Sequence, residues 1–466
     1  MSFPFHREEE SKHSVSLFEN MIRNNEITFF DVDNFESVID YYATNGDFDK
    51  ALQACNIGLE QHPYSSALIS FKAKVLSEVG LLDESMEYLE KAITFQPLDA
   101  ELHTLKGNIH TSLNEYEEAI ESYEKAIPFS DEKDDLYFEM GLTYQAWDKM
   151  GAALNSFKKA LSINPKHEDS LFELTLCLEV LDRLEEGVDY YQEIVNDNPE
   201  SSLAWYNLGV MQEKMESYTD AILSFEYATV LDSELSSAWF NLANVYMKIN
   251  HLDKAIEGFE KTVELERNIP DSDLFFQLAS CYHYDDQLKK ALIYYKKSLA
   301  ANPNFADANF GLGKLLAESE KHFESIHYLS KAVNLNKENA HYWLELAESE
   351  YEVGNIISSL NAFEQASLLN SENPELWLNW SSIYFEEGDY EQAIDVIKDG
   401  LELFPTEAKL YYRAVIYLFK KGNLKEAFVY LENALTLNFD GYIDMYRYCP
   451  ELEQNTALFK FIDQYN

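Results

Sequence analysis

The stretch Ser202–Leu235 reads SLAWYNLGVMQEKMESYTDAILSFEYATVLDSEL. It holds a bulky residue at its fourth place, Trp205, and a Leu208–Gly209 pair at its seventh and eighth. After a polar turn come Tyr218, then Ala221, Phe225 and Ala228, spaced by four and three. Such spacing gives one apolar stripe per helix, so the stretch predicts two amphipathic helices joined by a turn. Gly209 and Ala221 are small where the two backbones must approach closely.

The pattern recurs every 34 residues. With Ser202 setting the phase, repeats begin at Val32, Ser66, Ala100, Asp134, Glu168, Ser202 and Ser236. The next begins at Ser272, two residues late, and phase resumes at Ala306, Ala340, Pro374 and Ala408. That makes twelve repeats ending near Gly441. The extra residues fall in ERNIPDSD, where Pro270 and the acidic residues suit a longer connection.

The twentieth place is small in all twelve repeats, from Ala51 and Ser85 to Ala393 and Ala427. The eighth includes Gly107, Gly141, Gly209 and Gly313, with Ile39, Thr175 and Val415 as exceptions. Large rings fill the complementary places, such as Trp239 and Trp343 at the fourth and Tyr123, Phe157 and Phe259 at the twenty-fourth. Proline follows the second helix in six repeats, where it stops the helix. In the third repeat Pro128 should end that helix early.

These columns resemble the tetratricopeptide repeat, a helix-turn-helix unit of 34 residues. The resemblance covers about residues 32–441 and implies an all-α fold. Antiparallel helix pairs would stack into a right-handed superhelical solenoid, with first helices lining the concave groove. Residues 1–31 would form a polar, mobile tail through His13 and a capping helix from Ser14 to about Asn24. Residues 442–466 would form C-terminal capping helices, since a terminal repeat needs a cover with one polar face. A dimerisation helix is the alternative there.

Composition excludes several classes. The net charge of −47 repels nucleic-acid phosphate and anionic lipid. Either the acidic residues solubilise a long helical surface, or they recruit a Lys/Arg-rich partner; charge alone does not separate the two. No apolar run approaches the roughly 18 residues of a membrane span, so no membrane insertion is expected. Cys55, Cys177, Cys281 and Cys449 are far apart and read as buried thiols in a reducing cytoplasm. No phosphate-binding glycine loop, HExxH or GxSxG occurs, and the histidines are scattered. His103 and His110 stand at places that are mostly apolar in other repeats and read as core. No enzyme, cofactor or metal site is expected.

The groove remains. The fifth place is aromatic in six consecutive repeats: Phe138, Phe172, Tyr206, Phe240, Phe276 and Phe310. Either these rings pack on their own repeats, or they form a stripe that anchors an apolar ligand segment. Beside them Asn207, Asn241 and Gln277, with Asn244, offer amides that both donate and accept, as an extended peptide backbone requires. Some members of the family that this chain resembles capture a peptide carboxylate at five places, of which Asn379, Lys409 and Arg413 match three. Leu344 and Glu348 fail, and Glu348 would repel a carboxylate. Upstream groove positions are acidic, including Glu101, Asp135, Glu139, Asp169, Glu173 and Glu179. The expected function is a cytoplasmic, non-catalytic scaffold binding a protein or peptide whose apolar residues are flanked by Lys or Arg. The alternatives are a self-assembling structural protein and the non-catalytic arm of an enzyme complex.

Overall fold

Among the described residues of this computed structural model, 4–24, 28–266, 271–369 and 373–465, there are 27 α-helices, two 3-10 helices and no strand. Half of the longer connection read at ERNIPDSD, residues 267–270, lies outside the described residues. Twelve helix pairs run from Val32–Thr44 and Phe48–Gln61 to Ala408–Lys421 and Leu424–Leu437. In the third repeat the second helix, Tyr116–Ala126, spans 11 residues against 14 in most others. Pro128 has no N–H to continue the ladder.

The chain divides into two compact units, Met1–Ala238 and Trp239–Asn466. In the N-terminal unit the first helix is longer than expected. It runs Pro4–Asn24 rather than starting at Ser14, and Met1–Phe3 lie outside the described residues. Val15, Phe18 and Met21 are buried against Phe35, Val38, Ile39 and Tyr42 of the first repeat. That docking fixes one end, and the preceding Glu- and Lys-rich residues propagate the helix because they are good helix formers. In the C-terminal unit, Tyr442–Tyr448 and Thr456–Asp463 follow the last pair. They bury Met445, Cys449, Leu458 and Ile462 in one cluster with Leu410, Ile416 and Leu431.

The small columns act by contact. A Cβ added at Gly141 would lie 2.3 Å from the Phe157 ring, and one at Gly209 would lie 2.7 Å from Phe225. The ring at the twenty-fourth place thus sits on the backbone of the eighth. Where the twentieth place is serine, its hydroxyl donates to the carbonyl of the eighth residue: Ser85 to Ala73 (2.6 Å), Ser325 to Gly313 (2.7 Å) and Ser359 to Ala347 (2.7 Å). A buried serine is admitted because its polar group is satisfied.

One column escaped the sequence reading. The fifteenth place, which ends the first helix, is left-handed in all twelve repeats. Five are glycines with φ of 74–86°, and seven are Asn, Asp or Glu with φ of 53–61°. The backbone there closes a C-terminal cap, as in Gly46 N–H to Ala43 O (3.0 Å) and Asp47 N–H to Tyr42 O (2.9 Å).

Three substitutions test this packing by urea unfolding. Gly141→Ala should destabilise the chain by about 1–3 kcal/mol through overpacking against Phe157. Gly151→Ala, with nothing within 4 Å of the new Cβ, should stabilise it by up to about 1 kcal/mol through helix propensity. Glu216→Gly, at φ 60°, should also stabilise it, by up to about 1 kcal/mol, by relieving left-handed strain.

Candidate functional site

Five of the six fifth-place rings are half-buried, and each packs on neighbouring rings. In the N-terminal unit Phe138 lies 5.8 Å from Phe157 and 5.1 Å from His167, and Tyr206 lies 5.9 Å from Phe225. In the C-terminal unit Phe240 lies 5.6 Å from Phe259, and Phe276 lies 6.1 Å from Tyr295 and 5.2 Å from Phe305. Phe310 has Leu329 at its repeat's twenty-fourth place, and it stacks instead on Tyr342 at 4.7 Å. Phe172 differs, being 64% exposed.

The amides differ in burial and in partners. Asn207 is buried, its Nδ2 donating to Leu203 O (2.8 Å) and its Oδ1 accepting from Thr175 Oγ1 (2.8 Å). Thr175 takes the place of the small residue at the eighth position, and Tyr191 donates to Leu171 O beside it (2.7 Å). The amide of Asn207 is therefore spent on the fold. Asn241, Asn244 and Gln277 are half-buried in the C-terminal unit, where Gln277 also bonds the Asp273 carboxylate.

Within the C-terminal unit a cleft of about 780 Å³ opens over the first helices Ser272–Tyr284, Ala306–Glu318 and Ala340–Glu352. Phe276 and Phe310 line it, joined by Tyr342 and Leu344. Five carboxylates (Asp286, Asp307, Glu318, Glu345, Glu348) face one lysine, Lys314, with His283 and His341. Burial raises the Glu345 carboxyl above its ordinary value, and the neighbouring Glu348 charge raises it further. Burial likewise raises Glu348, against an opposing hydrogen bond from Asn379 Nδ2 (2.8 Å). His283 Nε2 lies 2.7 Å from Glu318 Oε2, and the Tyr342 hydroxyl donates to Asp307. His283, Glu318, Glu345 and Tyr342 were not singled out in the sequence, because they occupy places that vary from repeat to repeat.

A second cavity, of about 490 Å³, lies under the last repeat and is lined by Lys409, Arg413 and Arg447 with Glu375 and Asp444. Lys409 pairs with Glu375 (2.7 Å), Arg447 with Asp444 (2.9 Å), and the Arg413 guanidinium stacks 3.5 Å over Tyr448. Asn379 is engaged by Glu348, so the residues that match a carboxylate-capturing site are tied to partners of their own.

Other polar clusters serve the fold. Asp134, Asp135 and His167 bring three ligand atoms within 4.8 Å of one another. However, His167 Nδ1 accepts from Ser170 N–H (3.1 Å) as a helix cap, which leaves Nε2 protonated toward Asp135 (3.0 Å). That histidine has no lone pair left for a metal. His103 is buried and bonds Pro97 O (2.9 Å), whereas His110 bonds Glu115 (2.7 Å), so the two do not converge. All four cysteines are buried and free; burial pushes the Cys55 and Cys281 thiols up to about 12 and also raises Cys177 and Cys449. Among the described residues no helix is long and apolar enough to cross a membrane.

Comparison with known proteins agrees with this architecture. The family model described as the cilia and flagella-associated protein 70 C-terminal domain matches residues 211–444. Tetratricopeptide-repeat models match 69–97, 107–146, 134–167 and 182–236. No curated protein sequence matches significantly. Among solved structures, YrrB, titled a TPR protein with an unusual peptide-binding site, is 21% identical over 41% of this chain and 96% of that one, with a TM-score of 0.36. A chain of the APC/C hetero-tetramer Cut9–Hcn1 is 15% identical over 90% of this chain and 93% of that one, with a TM-score of 0.41. MamA is 19% identical over 35% and 95%, with a TM-score of 0.34. The chain belongs to the tetratricopeptide-repeat family, and over residues 211–444, half its length, to the family of the cilia and flagella-associated protein 70 C-terminal domain.

Proposed function

We propose that this protein is a cytoplasmic scaffold that binds an extended segment of a partner protein in the cleft of its C-terminal unit. Tetratricopeptide repeats are in general protein-interaction modules, which supports the broad assignment. The observation that carries the finer one is the cleft itself: apolar rings at Phe276 and Phe310 ringed by carboxylates from three successive repeats. Rings of this kind anchor apolar side chains, and each buried ring contributes about 1.5–3 kcal/mol. The carboxylates favour Lys or Arg on either side of the anchors. Lys314 and the Asn339 amide, both on the walls, suit the backbone of an extended chain.

The test is a fluorescence-anisotropy titration of peptides that alternate apolar residues with Lys. The double variant Phe276→Ala/Phe310→Ala should bind at least about tenfold more weakly, since 1.4 kcal/mol is a factor of ten. Equal binding by the wild type and the double variant would sink the assignment.

Acidity gives a second check. Glu345 and Glu348 have raised proton affinities, so they lose charge as pH falls, beginning above the usual glutamate value of about 4.3. Affinity for Lys-containing peptides should therefore fall as pH is lowered from neutral, and Glu345→Gln/Glu348→Gln should flatten that dependence. A pH profile unchanged by the substitutions would count against these two carboxylates.

A further inference from the structure

We propose a second, independent docking surface in the N-terminal unit, on the helix Glu168–Val180, that takes a basic amphipathic helix of another protein. Phe172 is 64% exposed, Leu176 43% and Val180 57%. They are spaced by four, so they form one ridge along the helix about 12 Å long. The equivalent residues in the neighbouring repeats, Phe138 and Leu142 on one side and Tyr206 and Val210 on the other, are half-buried around the core. The ridge thus stands between two shallow apolar flanks, the relief that a packed helix fits.

Hydrogen-bonding capacity decides the form of the occupant. An extended chain brings unpaired N–H and C=O groups that need partners, whereas a helix satisfies its own. The amides beside this ridge are engaged inside the protein. Gln145 Nε2 donates to Glu173 Oε2 (2.8 Å), and Asn207 is spent on Leu203 and Thr175. Lys214 is paired with Glu179 (3.2 Å). Such a face suits a helix and suits an extended segment poorly.

Charge decides the partner's chemistry. Asp169 and Glu173 lie on the ridge helix itself, with Asp135 and Glu139 on the helix before it. A second copy of a chain with net charge −47 would be repelled. A helix whose leucine-type residues meet the ridge and whose flanks carry Lys or Arg is attracted on both counts.

The experiment titrates the full chain with a labelled 18-residue Leu/Lys peptide patterned as an amphipathic helix, against a scrambled peptide of the same composition. The patterned peptide should bind at least about tenfold more tightly and gain helical circular dichroism on binding. Phe172→Ala/Leu176→Ala should remove that advantage, while Phe276→Ala/Phe310→Ala should leave it intact. A benzophenone in place of one peptide leucine should crosslink to residues 133–214 of the wild-type chain, which needs no variant to fold. Equal affinity for the two peptides, retention by the Phe172/Leu176 variant, or a crosslink elsewhere each overturns the proposal. Loss in the Phe276/Phe310 variant alone would also overturn it while leaving the cleft assignment standing.

Discussion

At the eighth place of a repeat a glycine or other small residue lies beneath the large side chain at the twenty-fourth, and the two helix backbones close to the width that this pair allows. Tyr123 over Gly107, Phe157 over Gly141 and Leu329 over Gly313 are instances of one contact. The twentieth place must then be small as well, and its serines are tolerated only by bonding across the gap. No single repeat buries enough surface to stand alone, because each helix pair is apolar on both sides. Neighbouring repeats complete each other's cores, and terminal helices cover what the last repeat leaves open: Phe18 at one end, Leu458 and Ile462 at the other.

Because this contact is repeated, the fold was legible in the sequence. Twelve copies of a small-large pattern average out local exceptions, and most helix starts follow from the phase alone. The site was less legible for the same reason. A fifth-place phenylalanine reads identically whether it faces a ligand or its own repeat, and burial differs only through the neighbours it meets. Phe138 and Phe172 are the same residue at the same place, yet His167 covers the first while the second is open. The left-handed fifteenth place had a signal, a column of Gly, Asn, Asp and Glu, but polarity at a turn is easily taken for solvation alone. The extra turns of the first helix depended on docking at Phe18, which no local pattern of charged residues announces.

The acidic balance shapes the surface without holding the fold together. Many of the few cations bridge successive repeats: Lys74 to Glu101, Lys158 to Glu186, Lys214 to Glu179 and Lys409 to Glu375. Exposed pairs of this kind contribute only about 0–1 kcal/mol each. Their larger effect is to occupy the cations, so that carboxylates dominate the open faces. Six arginines serve the whole chain, and two of them, Arg413 and Arg447, sit together under the last repeat with partners of their own. The open faces therefore carry carboxylates beside exposed apolar ridges.

In a repeat protein, function has to come from places the packing leaves unused, and a departure from the packing rule changes which places those are. Thr175 is such a departure. Being larger than glycine and polar, it must be satisfied in the core, and it recruits Asn207 from the next repeat and the Tyr191 hydroxyl from its own. Asn207 is thereby held in the core. One turn along the same helix, Phe172, Leu176 and Val180 stay exposed. This exception in the core column removes one hydrogen-bonding group beside a ridge that is apolar at its centre and acidic at its margins. The C-terminal cleft keeps the small residue at the corresponding places, Ala279 and Gly313, and retains its polar walls. Core and surface are thus linked at Thr175, where one polar residue at the eighth place takes the Asn207 amide out of use by any ligand.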